Sequence, residues 1–259
     1  MPMDFDLLLD PFGARWSDLR DTARVAIDAG FAGIWIHDHL DGRVYDAPFV
    51  LECWTVLSAL SVAIPQGVLG SLVLNVGNRD PGLLATMAAT LQETSGGRVM
   101  LGIGAGGGDA RYVREQTAIG RTVPGDPMRR AEIEACIAEV HNLWGSPGYL
   151  EPDPRPPFIV GGFGPKMAEL AGRVGDGMNT RATHPRLADL ITVARDACER
   201  AGGDPARFLV TVFADFDEPW LARGTQEREG LHALGVDRVI LSLPAPYDRR
   251  RITAAGRLL

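Results

Sequence analysis

The 259 residues carry 26 Lys and Arg against 33 Asp and Glu, a formal net charge of −7, so the surface lacks the positive field that gathers phosphate backbones and nucleic acid is not expected as a partner. Hydrophobic residues make up 46% of the chain, yet no run approaches the roughly 20 apolar residues that span a bilayer, and Met1-Pro2-Met3-Asp4-Phe5-Asp6 is acidic where a secretion signal is basic. A cytoplasmic protein with no membrane contact is expected, and its cysteines, Cys53, Cys136 and Cys198, are too scattered for a zinc or redox motif, so they read as reduced and structural with no metal site.

Short apolar runs alternate with helical patterns along the whole chain. Strand Phe5–Leu9 precedes helix Ser17–Ala29, Gly33–His37 precedes Leu51–Ala63, and Val68–Leu74 precedes Pro81–Thr94. Strand Val99–Ile103 then precedes helix Met128–Leu143, Phe158–Val160 precedes Pro165–Val174, and Gly177–Asn179 precedes Pro185–Ala201. Phe208–Ala214 with helix Arg223–Leu234, and a last strand Arg238–Leu243, complete the series. Several helices open on Ser or Pro and stop just before Gly, as helix termini require. Eight strand positions in this length predict an α/β fold, a (β/α)₈ TIM barrel of about 250 residues, with a doubly wound open sheet as the alternative. No Gly/Ser linker or shift in composition divides the chain, so residues 1–259 read as a single domain. The proline-rich stretch Pro152–Pro157 reads as a stiff lead-in to the fifth strand.

A barrel places binding and catalysis at the C-terminal ends of its strands, which singles out four segments. Gly33-Ile34-Trp35-Ile36-His37-Asp38-His39 ends a strand in three titratable groups, suited to proton transfer near neutral pH or to capping backbone carbonyls at a surface strand end. Gly70-Ser71-Leu72-Val73-Leu74-Asn75 has a mid-strand glycine, which marks a bulge, a flat neighbour close to the backbone, or plain barrel packing. Leu101 to Asp109 contains Gly102, Gly104 and Gly107 in the spacing of a dinucleotide fingerprint, but it follows the fourth strand and not the first, so a side-chain-free rim for a planar ligand is the preferred reading. Val160-Gly161-Gly162-Phe163-Gly164-Pro165-Lys166 turns a strand into a helix, an anion site or a tight turn with a solvated lysine.

Five segments in order carry a resemblance. Gly33 to His39 is followed by Leu72-Val73-Leu74-Asn75-Val76-Gly77-Asn78-Arg79-Asp80-Pro81, then by Ser95-Gly96-Gly97-Arg98-Val99 through Gly106, then by Gly161 to Lys166 and Gly175-Asp176-Gly177-Met178-Asn179. Together they resemble the luciferase-like monooxygenase superfamily, in its branch that uses the deazaflavin coenzyme F420. The resemblance implies a (β/α)₈ barrel holding the cofactor at its C-terminal mouth. It implies that Asp38 holds the ring system and that His39 serves proton transfer. It places the family's bulged third strand, with a non-proline cis peptide, at Ser71, Leu72 and Val73, next to Asn75. The glycine rim at Gly104, Ala105 and Gly106 would face the cofactor, and the phosphate would lie on Gly161, Gly162, Gly164 and Lys166. Arg98 precedes the fourth strand and is expected to be structural, beneath the barrel.

Two departures qualify the resemblance. The connection after the seventh strand, Asp217 to Arg223, is brief where many relatives insert a substrate cover, so a shortened insertion region is expected. Relatives that oxidise sugar phosphates carry an acidic side chain in the glycine loop, and here stands Gly106-Gly107-Gly108, so that acid is missing or comes from elsewhere and sugar-phosphate oxidation is disfavoured. The leading expectation is an oxidoreductase passing hydride between F420 and a small organic substrate. The alternatives are a reduced-FMN monooxygenase served by a separate reductase and a non-catalytic flavin-binding barrel. A homodimer is expected on the resemblance alone. Phe12, Trp16, Tyr45, Phe163 and Trp220 are the aromatic candidates for a substrate pocket.

Overall fold

A computed structural model describes residues 3–259; Met1 and Pro2, at the head of the acidic stretch weighed against a secretion signal, lie outside the described residues. Its strands are β1 (Asp4–Leu9), β2 (Gly33–Ile36), β3 (Val68–Ser71), β4 (Leu74–Asn75), β5 (Val99–Gly104), β6 (Phe158–Gly161), β7 (Gly177–Arg181), β8 (Leu209–Asp215) and β9 (Arg238–Leu243). All pair in parallel in the order β3-β2-β1-β9-β8-β7-β6-β5-β4, and a β3–β5 pairing closes the sheet into a cylinder. β3 and β4 are two halves of one strand position, so the barrel has the eight positions expected of a (β/α)₈ fold. The expected strand Val68–Leu74 is therefore not continuous. It breaks at Leu72–Val73, whose peptide bond is cis, where the resemblance put the bulge.

Helices α1 (Trp16–Asp28), α2 (Cys53–Ala63), α3 (Pro81–Ser95), α4 (Ala110–Ala118), α5 (Asp126–Trp144), α6 (Pro165–Val174), α7 (Leu187–Arg200), α8 (Gln226–Ala233) and α9 (Arg249–Ala255) lie between or after the strands. The start of α3 shows how sequence sets such a boundary. Asp80 accepts hydrogen bonds from the Gly82 and Leu83 amides, Pro81 occupies the first turn, and Gly96 closes the helix at φ 71°. Helices α4 and α9 were not foreseen: α4 is mostly polar and directly follows the glycine run, and α9 opens on Arg249-Arg250-Arg251. After β8 the chain makes only a short 3₁₀ turn, Glu218–Trp220, before α8, so the brief connection expected there is present.

Alternation along each strand divides the core into two. In β1, Phe5, Leu7 and Leu9 join the large apolar layer between sheet and helices, while Leu8 packs with Trp35, Leu72 and Ile240 in a separate cluster, the filling of the barrel. Asp6, fully buried, accepts hydrogen bonds from Trp35 Nε1 at 2.8 Å and from Arg238 Nε and Nη2 at 2.8 and 3.0 Å. Burial raises the Asp6 pKa above the ordinary carboxylate value, against the pull of Arg238 and Trp35. Arg238 Nη1 also donates to Asp4 at 2.8 Å, so one guanidinium joins the first strand to the last.

The mid-strand glycine now has its explanation. A Cβ on Gly70 would stand 2.3 Å from the Trp35 ring, so the flat neighbour is the protein's own indole and not a ligand. At the opposite end from the cleft, Arg98 donates to the carbonyls of Gly67 and Ser61 at 2.9 Å and of Ser95 at 2.6 Å, tying the entry of β3 to the ends of α2 and α3, the structural role expected of it. The three cysteines are buried and unpaired. No helix among the described residues is long and apolar enough to cross a membrane.

Removing one member of a buried ion pair strands the other charge. Arg238→Met is expected to lower the unfolding free energy by about 3–5 kcal/mol, read from urea titration, and the double variant Asp6→Asn/Arg238→Met to recover part of that loss.

Candidate functional site

A cleft of about 510 Å³ opens among the ends of β2, β4, β5, β6, β7 and β8, within the size range of small-molecule sites. Its chemistry begins where β2 stops. Asp38 is buried, and both oxygens of its carboxylate are hydrogen-bonded: Arg79 donates Nη1 to Oδ2 and Nη2 to Oδ1, both at 2.8 Å, and the Asn75 backbone amide donates to Oδ2 at 2.9 Å. Arg79 Nη2 also reaches Glu52 Oε1 at 2.5 Å, and Glu52 caps α2 by accepting from the Trp54 and Thr55 amides. Burial works against the Arg79 charge, but the hydrogen bond and charge of Asp38 prevail and raise its pKa. Asp38 therefore fastens the end of β2 to β4 and, through Arg79 and Glu52, to the start of α2.

His39 follows directly. Its Nδ1 lies 3.2 Å from Glu115 Oε2 and 3.3 Å from Oε1. Glu115 comes from α4, is 3% exposed, and also accepts the amides of Leu40 at 2.6 Å and Asp41 at 3.1 Å. Burial raises the Glu115 pKa, but the His39 and backbone hydrogen bonds outweigh it and hold the carboxyl below its ordinary range. An ionised carboxylate only accepts, so Nδ1 carries the proton and Nε2 is the ring nitrogen left for chemistry. The imidazole stacks on Tyr112 at 5.6 Å and meets the edge of Tyr45 at 5.8 Å. Glu115 is thus a carboxylate that orients His39 from α4.

His37 points to the strand break: its Nδ1 lies 2.8 Å from the Leu72 carbonyl. Burial chiefly, with the neighbouring His39 charge, lowers its pKa to about 4, so the ring is neutral at physiological pH and donates that hydrogen bond. The glycines around the break are spent on it. A Cβ on Gly104 or Gly161 would meet the Val73 side chain at 2.7 or 2.8 Å, and one on Gly102 would stand 1.9 Å from the Ser71 carbonyl oxygen. Gly106, at φ 65°, is pressed against the Asn75 amide. The rim read as bare for a ligand is bare largely to admit the interrupted third strand.

Of the expected site residues, Asp38, His39, Leu72, Val73, Asn75, Gly104, Ala105, Gly106, Gly161 and Gly162 all border this one cleft. Ser71, Gly164 and Lys166 do not. Ser71 is fully buried and donates to the Gly102 carbonyl at 2.9 Å, and Lys166 faces a second groove between α5 and α6. The cations bordering the cleft are instead Arg129 and Arg130 of α5 and Arg181 at the end of β7. Arg129 pairs with Asp126, yet its Nη1 is buried without a partner. An unpaired buried N–H is costly, so this atom is poised for an acceptor in the cleft and fits an anionic group there. Tyr45 and Phe163 border the cleft, as foreseen. Phe12 stands behind Tyr45 with ring centroids 4.8 Å apart, while Trp16 and Trp220 pack on the core.

Residues 3–216 match the luciferase-like monooxygenase family. The chain belongs to that family. Among its luciferase-like relatives, the F420-dependent glucose-6-phosphate dehydrogenase of Nakamurella multipartita is 29% identical over 222 residues, 78% of this chain and 64% of that protein. The 5,10-methylenetetrahydromethanopterin reductase of Archaeoglobus fulgidus is 31% identical over 211 residues, 77% of this chain and 60% of that protein. The chain spans about three fifths of the length of the curated relatives it matches. The solved F420-dependent secondary alcohol dehydrogenase in complex with an F420-acetone adduct shares the luciferase-like fold, with a TM-score of 0.86 over 100% of this chain and 98% of that one at 19% identity.

Because the folded His37 pKa of about 4 lies below its ordinary 6.5, the unfolded chain takes up this proton first as pH falls. The contribution is present above about pH 6.5 and is lost on acidification toward about pH 4. His37→Gln, which keeps a donor for Leu72, is expected to reduce the fall in urea midpoint across that window.

Proposed function

We propose that this chain is an oxidoreductase that holds coenzyme F420 in the cleft and exchanges hydride between it and a small organic substrate. The observation that carries the reading is His39, oriented by a buried carboxylate and turned onto a cleft bordered by the interrupted third strand. The relatives named for F420 support it. When bound, the deazaflavin supplies the hydride chemistry itself.

The protein's own groups divide the remaining work. His39 holds or releases a proton at Nε2, and Glu115 fixes the tautomer and stabilises the ring when it is charged. Asp38 is a positioning residue in this reading, since its oxygens are taken by Arg79 and Asn75. Leu72 and Val73 present backbone to the ligand. Arg129, through its unpartnered Nη1, takes the anionic part of the cofactor in place of Lys166. Tyr45, Phe163 and Phe213 give the substrate a partly apolar wall. The glycine run still lacks the acid of the sugar-phosphate relatives, and the substrate class stays at small organic molecules. The buried, unpaired cysteines support a reducing, cytoplasmic setting; a homodimer and a separate enzyme that regenerates the cofactor belong to the same reading.

Fluorescence titration is expected to give tighter binding of F420 than of FMN; equal or reversed affinities would move the assignment to a reduced-FMN monooxygenase. His39→Ala is expected to lower kcat by about 10²–10⁴-fold, the usual range for general acid–base groups, while F420 affinity is retained. Absence of turnover in the parent protein with intact cofactor binding would instead point to a non-catalytic flavin-binding barrel.

A further inference from the structure

The end of the cleft around His39 also carries two phenols, Tyr45 and Tyr112. Tyr112 comes from α4 and is half-buried, its ring stacked on the imidazole at 5.6 Å and 24°. The backbone makes room for it: a Cβ on Gly107 would stand 2.4 Å from the Tyr112 ring, so the phenol empties this glycine as Val73 empties Gly104 and Gly161. Tyr45 ends the 3₁₀ turn Gly42–Tyr45 and meets the imidazole edge-on at 5.8 Å. Arg111 donates to the Val44 carbonyl at 3.4 Å, and Glu115 accepts the Leu40 and Asp41 amides. Helix α4 and the turn thus hold both phenols on one frame. Burial, the adjoining Tyr112 hydroxyl and the Asp10 charge raise the Tyr45 pKa, so that phenol keeps its proton.

The neighbouring groups already have partners: Asp38 meets Arg79 and the Asn75 amide, His37 the Leu72 carbonyl, and Glu115 the His39 ring. Two phenols carry two O–H protons, and a bond between them uses one. Beyond each other, neither hydroxyl has a hydrogen-bond partner among the described residues, whereas Tyr247 donates to the Asp10 carbonyl at 2.6 Å. One donor is therefore left over beside His39, whose Nε2 accepts while Nδ1 holds the proton. A free donor next to a free acceptor complements a hydroxyl group, which gives one hydrogen bond and takes another. We propose that Tyr112, with Tyr45 beside it, binds the oxygen of the substrate and selects for a hydroxyl or carbonyl group at the carbon that exchanges hydride. The inference rests on the cofactor reading above. The phenol donates to the substrate oxygen while the substrate hydroxyl donates to Nε2. In the oxidising direction the hydroxyl proton passes to Nε2, hydrogen leaves the carbon with its electron pair for the oxidised cofactor, and the O–H pair becomes the C=O π bond. The phenol keeps its own proton and stabilises the negative charge that gathers on oxygen along the way.

The test uses the F420-loaded parent, Tyr112→Phe, which keeps the ring between His39 and Gly107, Tyr45→Phe, and Tyr112→Leu, which removes the ring. The probes are small ketones, from butanone to cyclohexanone, each set against the isostere with C=CH₂ in place of C=O. The quantity read is the ratio of the two dissociation constants, from quenching of cofactor fluorescence. The parent is expected to favour the ketone about three- to tenfold, as one added hydrogen bond gives. That preference is expected to fall to near one in Tyr112→Phe and by less in Tyr45→Phe. Turnover of the matching alcohols is expected to lose about 10²-fold in kcat in Tyr112→Phe, with the shape of its pH profile, set by His39, retained. A parent ratio of one for every pair, or a ratio unchanged in Tyr112→Phe, overturns the oxygen site, while intact F420 binding leaves the cofactor reading standing. A loss seen in Tyr112→Leu and not in Tyr112→Phe assigns the ring to packing and overturns the site as well. Failure of F420 to bind the parent overturns the cofactor reading and this inference with it.

Discussion

The bidentate pairing of Asp38 with Arg79 is the constraint on which the site is built. It draws the end of β2 onto the second half of the interrupted strand and, through Glu52, onto the first turn of α2. The Asp38 carboxylate has no exposed side-chain surface, and a buried charge is costly unless it is paired and hydrogen-bonded; the guanidinium fork together with the Asn75 backbone amide meets both needs. The next residue is His39, so the direction of the imidazole is inherited from a structural ion pair, and Glu115 then sets its tautomer.

The broken strand is the second element, and several glycines make sense only together with it. Gly102, Gly104 and Gly161 come from two neighbouring strands and are all emptied by the same short segment, Ser71 to Val73. Their lack of side chains makes room for the backbone and for Val73 to stand where a regular strand would leave space. The His37 ring, kept neutral by burial, holds the Leu72 carbonyl from the other side. Backbone is thereby presented to the cleft by packing that lies outside it.

Much of this was legible in the sequence because it is local. The strand and helix rhythm, the polar ending of β2 and the glycine turn after β6 are each read from contiguous residues, and the barrel brings their ends to one mouth. What escaped was relational. Glu115 lies 76 positions from His39 on a helix whose polar composition resembles a loop. The ion-pair partner of Asp38, Arg79, is 41 positions away, and no local pattern joins the two. Lys166 was read as facing the cleft because it follows a glycine turn, but the phase of a helix decides where its first-turn side chains go, and α6 turns this one toward α5.

Asp6 and Arg238 stand 232 positions apart, and this separation bears on how the cylinder is assembled. While the chain is being synthesised, the acid destined for the barrel interior exists long before the cation that neutralises it. Until β9 docks, the interior carboxylate must remain hydrated or protonated, and the seam beside β1 cannot shut. Late closure of this kind makes the cylinder's completion a cooperative event with a high loop-closure cost, and exposes the edges of β1 and β8 to other chains for as long as the last strand is absent.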